Sequence, residues 1–221
     1  MFTHVKDKPV LQELKAITTE HGRRYITPDG LKYPSVTTVL GAQPEKKAGL
    51  LAWRKRVGEE EANKISHRAS TRGTAVHELA ENYLNNKEDW ADGFMPANIF
   101  SFNAIKPILD DHVDNIYWQE APLYSDKLKT AGRVDMICEW KGELAIVDFK
   151  TSRKPKKREW ITDYFLQMAF YSAALFEQTG LVAKKGVIVM TVDDNPSEVF
   201  EESTFEWLPK FIDVRKQYDS Y

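Results

Sequence analysis

The spacing of apolar residues changes character about halfway along the chain. Up to roughly residue 116 they recur at helical intervals; beyond it they alternate with polar residues or form short unbroken runs, the mark of strands. In the first half, Arg24 to Tyr33 reads as a small hairpin turned at Pro28-Asp29-Gly30. Ser35 stands where an N-cap belongs, opening a short helix through Leu40 that Gly41 ends. Helices are expected over about 49–61, 71–85 and 99–116, the second carrying Val76, Ala80 and Leu84 on one stripe. In the second half, 117–124, 132–140 and 143–150 are three strand candidates, with Lys141-Gly142 as a tight turn between the last two. A helix over 163–178 follows, with Phe165, Met168, Ala169, Tyr171, Ser172 and Leu175 mostly buried. Strands at 186–192 and 198–203 and an amphipathic helix at 205–218 complete the chain. The order predicts an α/β fold in one domain, 1–221: a mixed central sheet flanked by helices (116–221), preceded by a mainly helical N-terminal portion (1–115).

Composition narrows the class. The chain has 221 residues, 31 Lys plus Arg against 33 Asp plus Glu, and a formal charge of -2. That balance excludes binding driven by global charge, and a mean hydropathy of -0.50 excludes an integral membrane protein. The one cysteine, Cys138, excludes a disulfide framework, a structural zinc site of two or four thiolates, and a four-thiolate iron-sulfur cluster. The near-neutral total hides two opposed segments. Lys46, Lys47, Arg54, Lys55, Arg56, Lys64, Arg68 and Arg72 make one stretch basic; Asp193, Asp194, Glu198, Glu201, Glu202 and Glu206 make another acidic.

Candidate chemistry lies in Gly132-Arg133-Val134-Asp135 and in Ile146-Val147-Asp148-Phe149-Lys150-Thr151-Ser152. Side chains alternate along a strand, so Asp148 and Lys150 share one face and Phe149 takes the other. If Lys141-Gly142 closes a symmetric hairpin, Asp135 falls opposite Asp148, with Cβ atoms ~4.5 to 5.5 Å apart. Like charges so placed repel, and a divalent cation held by both would compensate. Lys150 could then stabilise negative charge on a phosphate. The competing reading makes these three ordinary strand-end charges. The buried run Leu144-Ala145-Ile146-Val147, which Asp148 ends, weighs against it.

These residues resemble the PD-(D/E)XK nucleases, specifically the RecB-like exonuclease branch and its mitochondrial genome maintenance exonuclease family with phage and bacterial relatives. The branch motifs are a helical His, Gly-x-x-Asp, Asp-x-Lys and Gln-x-x-x-Tyr. Here they are matched in order by His77, Asp135, Asp148 with Lys150, and Gln167 with Tyr171. Tyr33 to Leu40 and Asp148 to Ser152 look like signatures of that family, and the resemblance runs from about Arg24 to the C-terminus. It implies a restriction-endonuclease-like fold and a Mg²⁺- or Mn²⁺-dependent hydrolase that digests single-stranded DNA from a free end. An endonuclease of the same fold and a non-catalytic DNA-binding module are the alternatives. By resemblance His77, Asp135, Asp148 and the Phe149 carbonyl are metal ligands, Lys150 stabilises the transition state, and no iron-sulfur cluster is involved. The N-terminal 24 residues do not look like an import or secretion signal, so the expected setting is the cytoplasm of a bacterium or phage-infected cell, with DNA as partner and no membrane.

Other residues carry two readings each. Glu120 is an active-site acid or a surface strand residue. Glu81 shares a helix face with His77 and could orient it. Gln167 and Tyr171 share a helix face, and by resemblance they border the site and contact DNA or position Lys150; for Tyr171 core packing is the competing reading. Arg153, Lys154, Lys156, Lys157 and Arg158 place five bases in six residues just after Thr151 and Ser152, and read as a phosphate-contacting loop at the mouth of the site. The basic stretch ending at Arg72 could form another wall of a DNA channel. Ser35, Thr37 and Thr38 could meet phosphate through their hydroxyls, although Ser35 as a plain N-cap needs no DNA.

Overall fold

The computed structural model describes residues 1–220. Its centre is a five-stranded sheet of β4 (Val113–Ser125), β5 (Thr130–Trp140), β6 (Glu143–Ser152), β7 (Lys185–Val192) and β8 (Glu198–Ser203), in spatial order β4-β5-β6-β7-β8. Only β6 and β7 run parallel. Parallel neighbours need a crossover, and the helix between them, α6 (Thr162–Thr179), supplies it. One face of the sheet packs against α6, the short α1 (Val36–Gly41) and the C-terminal α7 (Thr204–Tyr218), through Val39, Phe165, Phe170 and Phe211 among others. The other face packs against α3 (Glu59–Leu84), α4 (Pro96–Asn103) and α5 (Lys106–His112), through Leu79, Leu84, Phe102 and Leu109. The expected α/β architecture is present, with both faces covered.

The N-terminal portion is less helical than expected. Three short strands, β1 (Lys15–Thr19), β2 (Gly22–Ile26) and β3 (Lys32–Pro34), form a second sheet. The hairpin turned at Pro28-Asp29-Gly30 is there, pairing Ile26 with Lys32, but β1 adds a strand the sequence reading lacks. Lys15 to Thr19 is exposed on both faces, so no alternation announces it. The helix expected over 49–61 is α2 (Pro44–Val57), opened by Pro44 and closed by Gly58 at φ +86°. The one expected from 71 begins at Glu59: in its N-terminal half only Ala62 is buried, so the apolar stripe is confined to Val76, Leu79, Ala80 and Leu84. The helix expected over 99–116 is two helices, broken around Ala104 and Ile105 ahead of Pro107, and β4 already starts at Val113.

Two local arguments from the sequence survive intact. Lys141 and Gly142 both take positive φ, +52° and +78°, as a two-residue hairpin turn requires. The ladder then runs symmetrically from Trp140↔Glu143 to Met136↔Val147, the register that carries Asp135 towards Asp148.

Gly132 is fixed by packing. A Cβ there would lie 2.8 Å from both Cε1 and Oη of Tyr171, which presses on β5 from α6. Gly132→Ala should therefore cost about 1–3 kcal/mol through overpacking. Urea denaturation would measure it, and an unchanged midpoint would show that the ring can move aside.

Candidate active site

β6 is the central strand of the sheet, and its Ala145, Ile146 and Val147 have no exposure at all. Asp148 continues it at 2% exposure, and its carboxylate meets the ammonium of Lys150, two residues on and on the same face. The central strand thus carries an ion pair in its second half. Gln167 reaches Asp148 Oδ1 from α6 at 3.5 Å, the ring of Tyr164 lies 4.8 Å from Lys150 Nζ, and Asp148 Oδ2 receives no directed hydrogen bond. On the other side of the sheet, Phe149 packs among Val147, Val187 and Val189.

Asp135 comes in from β5. Past Met136 the β5–β6 ladder gives way, and the Asp135 side chain takes the place of a backbone acceptor: Phe149 N–H donates to Asp135 Oδ2 at 2.7 Å. His77, from the buried half of α3, approaches the same point. Its Nε2 lies 2.8 Å from the Phe149 carbonyl oxygen and its Nδ1 3.4 Å from Asp135 Oδ2. Glu120 is the third member. Gln119↔Met136 and Ala121↔Val134 flank it, which puts it across from Asp135, and it takes a left-handed backbone at φ +47°. One ligand atom each from His77, Glu120 and Asp135 lie within 4.8 Å of one another. Glu120 is half-buried and lines the same cleft as His77 and Asp135.

Of the residues expected as metal ligands, His77 and Asp135 stand together. Glu120 groups with His77 and Asp135, whereas Asp148 is engaged by Lys150, because the same-face spacing that brings Asp148 to Asp135 also brings Lys150 to Asp148. Carboxylate oxygens, an imidazole and a carbonyl are donors suited to a hard divalent cation. The donor set of His77, Glu120 and Asp135 fits a divalent cation, while Asp148 Oδ2 faces the Lys150 ammonium.

Burial opposes every charge here, and the neighbours decide each outcome. His77 is held above its ordinary pKa because Asp135 outweighs the burial. Asp135 is held below its own, against burial, by His77, Lys150 and the Phe149 N–H. Burial pushes Asp148 up to about 6, with Asp135 adding to it against the pull of Lys150. Lys150 stays charged, since Asp148 and Asp135 more than offset its burial. Glu120 is pushed up to about 7, by burial first and Asp135 second.

These groups line a cleft of about 540 Å³ together with Ser35, Thr37, Arg23, Arg133, Gln167 and Tyr171. Several residues expected to contact DNA have other duties. Ser35 is the N-cap of α1, accepting from Thr38 N at 3.0 Å, and its hydroxyl also meets those of Thr37 and Thr38. Thr38 Oγ1 additionally exchanges hydrogen bonds with the Arg23 backbone. Tyr171 borders the cleft but is buried, its hydroxyl donating to the Arg133 carbonyl at 2.8 Å. Ser152 is buried and donates to the Lys154 carbonyl, shaping the turn after β6, while Thr151 stays half-buried on the strand.

The basic loop is partly neutralised by the acidic segment. Arg158 is ion-paired with Glu202 and lies over the rings of Phe165 and Trp207. The Lys156 N–H donates to Glu198, and Arg72 pairs with Asp193 at 2.5 Å. Arg153, Lys154 and Lys157 remain exposed, Lys157 beside the exposed ring of Trp160. Arg23, Arg133 and Tyr164 are the site residues that the sequence reading lacks. Arg133 was accessible to it, because strand alternation places it on the side of Asp135; Arg23 was not, because β2 reaches the cleft only through the tertiary fold.

Glu120→Gln should stabilise the metal-free protein in a pH-dependent way. A carboxyl raised from its ordinary 4.5 to about 7 withdraws stability as pH rises through that interval, and the deficit is complete above about 7. The variant's gain in Tm should therefore grow from pH 4.5 to 7 and level off beyond. A gain flat across that range would mean that Glu120 titrates normally.

Comparison with known proteins agrees with the geometry. The chain resembles curated mitochondrial genome maintenance exonuclease 1 from Mus musculus at 26% identity over 84% of this chain and 58% of that one. For the Homo sapiens protein of the same name the figures are 28%, 73% and 49%, and for that of Xenopus tropicalis 27%, 64% and 43%. The chain thus spans about half the length of these relatives. Among the described residues no helix is long and apolar enough to cross a membrane. The family model for the PD-(D/E)XK nuclease superfamily matches residues 47–205, a span holding His77, Glu120, Asp135, Asp148, Lys150 and Gln167, and this chain belongs to that superfamily.

Proposed function

We propose that this protein is a divalent-metal-dependent deoxyribonuclease that digests single-stranded DNA from a free end. The observation that carries the reading is the convergence of His77, Glu120 and Asp135 beside the buried Asp148–Lys150 pair, in a cleft that also holds arginines. The exonuclease assignment is supported by the names of the relatives, and the preference for a single strand by the exposed Trp160 beside Lys157, a surface suited to an unpaired base. In this reading residues 1–115 supply the walls of a channel and 116–221 the catalytic sheet.

His77, Glu120 and Asp135, with Asp148 and the Phe149 carbonyl, would hold Mg²⁺ or Mn²⁺. When bound, the ion supplies positive charge to a scissile phosphate and makes water a stronger nucleophile. The remaining work belongs to the side chains. Lys150, kept charged by Asp148 and Asp135, presents a fixed ammonium to the charge that develops on the phosphoryl oxygens. Its partner Asp148 is steadied by Gln167, and the Tyr164 ring lies against the ammonium. The Phe149 N–H holds Asp135, so this carboxylate is oriented by backbone. Arg153, Lys154 and Lys157 would draw the phosphodiester chain towards the cleft.

Removing one preorganised charge of this kind usually costs about 100-fold or more in rate. Asp135→Asn and Lys150→Met should lower cleavage of an end-labelled single strand by at least that factor, EDTA should abolish it, and Mg²⁺ or Mn²⁺ should restore it. Circular single strands should survive where linear ones are degraded. Equal loss of circles would identify an endonuclease, and undiminished cleavage by either variant would remove that residue from the chemistry.

A further inference from the structure

Arg133 is a cation of the cleft with no role in the scheme above. It precedes Asp135 by two positions on β5, and both are half-buried side chains that line the same cleft. Its place is fixed twice. The backbone carbonyl accepts from the Tyr171 hydroxyl at 2.8 Å, and Nη1 donates to the Glu120 carbonyl.

The other edge of the guanidinium is held differently. Nη2 donates to Glu13 Oε2 at 2.8 Å, and the Glu13 side chain is 77% exposed against 32% for Arg133. An ion pair this open contributes little and exchanges readily. Glu13 is nevertheless delivered on purpose-built backbone: the next residue, Leu14, is buried with Tyr25, Tyr33 and Ala131. Glu13 also lines a second hollow of about 350 Å³, bordered by Lys6 and Lys8, which shares Glu120 with the main cleft. The Arg133–Glu13 pair thus links a residue of one hollow to a residue of the other.

We infer that Arg133 is a phosphate-binding residue and that Glu13 occupies it in the free protein as a stand-in, giving way to a phosphate of the nucleic-acid strand beside the one at Asp135. This rests on the nuclease reading for the identity of the ligand. The chemistry of the pair favours the exchange. A guanidinium fork matches two phosphate oxygens as it matches a carboxylate, and a strand entering a cleft walled by Glu120, Asp135 and Asp148 needs a fixed cation on that wall. Release of Glu13 would also join the two hollows into a longer path for the strand.

The exchange is tested by a double-mutant cycle on affinity, read as fluorescence anisotropy of a labelled single-stranded oligonucleotide in EDTA, where nothing is cut. Glu13→Gln should tighten binding about 2- to 5-fold, because the competitor is gone. Arg133→Gln should weaken it about 10-fold or more, and in that background Glu13→Gln should have no effect. Glu20→Gln, another exposed acid, is the control for net charge. An equal gain from Glu20→Gln, or a Glu13→Gln gain that persists without Arg133, overturns the inference. Because Glu13 is exposed, its single variant decides the point against that control even if Arg133→Gln does not fold. A wild-type protein that binds and shows the coupling but does not cut in Mg²⁺ would sink the nuclease reading alone. One that cuts while the cycle is additive would sink this inference alone.

Discussion

An aspartate and a lysine stand two residues apart on the central strand of the sheet, just past its fully buried run. Placing Asp148 and Lys150 there removes two charges from water, a cost that their mutual attraction offsets only when geometry and further hydrogen bonds are favourable. Much of the surrounding structure meets that condition. α6, required in any case as the crossover between β6 and β7, brings Gln167 to Asp148 and Tyr164 to Lys150. One turn beyond Gln167, Tyr171 hydrogen-bonds to β5 at Arg133, and that close approach is possible because residue 132 is glycine. Gly132, Tyr171, Gln167 and the Asp148–Lys150 pair therefore form one packing unit, although they belong to three separate motifs in the sequence.

Asp135 extends the same logic to the second strand. Where the β5–β6 ladder ends, its carboxylate replaces the missing backbone acceptor for Phe149, so the separation of the strands leaves no orphaned N–H at that position and opens room for a site. Glu120 with its left-handed backbone on β4, and His77 on α3, then converge on the opening from both sides. The site opens at the end of the β5–β6 ladder, while β4–β5 and β6–β7 pairing continues past it.

The charge distribution follows from these needs. A total of -2 conceals segments of opposite sign, and the fold brings parts of them together: Asp193 pairs with Arg72 and Glu202 with Arg158, while Glu198 accepts from the backbone N–H of Lys156. Among the described residues, the cations left without an ion pair in the loop after β6 are Arg153, Lys154, Lys156 and Lys157, and inside the cleft Arg23, while Arg133 is held by the exposed Glu13. Positive charge able to face a polyanion is thus less plentiful, and more local, than the sequence suggests.

The alternation of side chains and the Lys141-Gly142 turn were enough to pair β5 with β6 in the right register and to bring Asp135 towards Asp148, because hairpin register depends on neighbours in the chain. The apolar stripes gave the buried half of α3, and Ser35 was recognisable as a cap, since both are also local effects. The exposed first half of α3 and β1 left no such trace, because an element that buries little writes no periodicity into its sequence. What only the tertiary structure decided was the partnership of charges. That Lys150 takes Asp148, that Glu120 joins His77 and Asp135, that Tyr171 packs instead of facing solvent, and that Arg133 is shared between Glu120 and Glu13 all depend on distances between segments remote in sequence. Local sequence fixes which face a side chain takes, whereas the partner across that face comes from the packing of the whole chain.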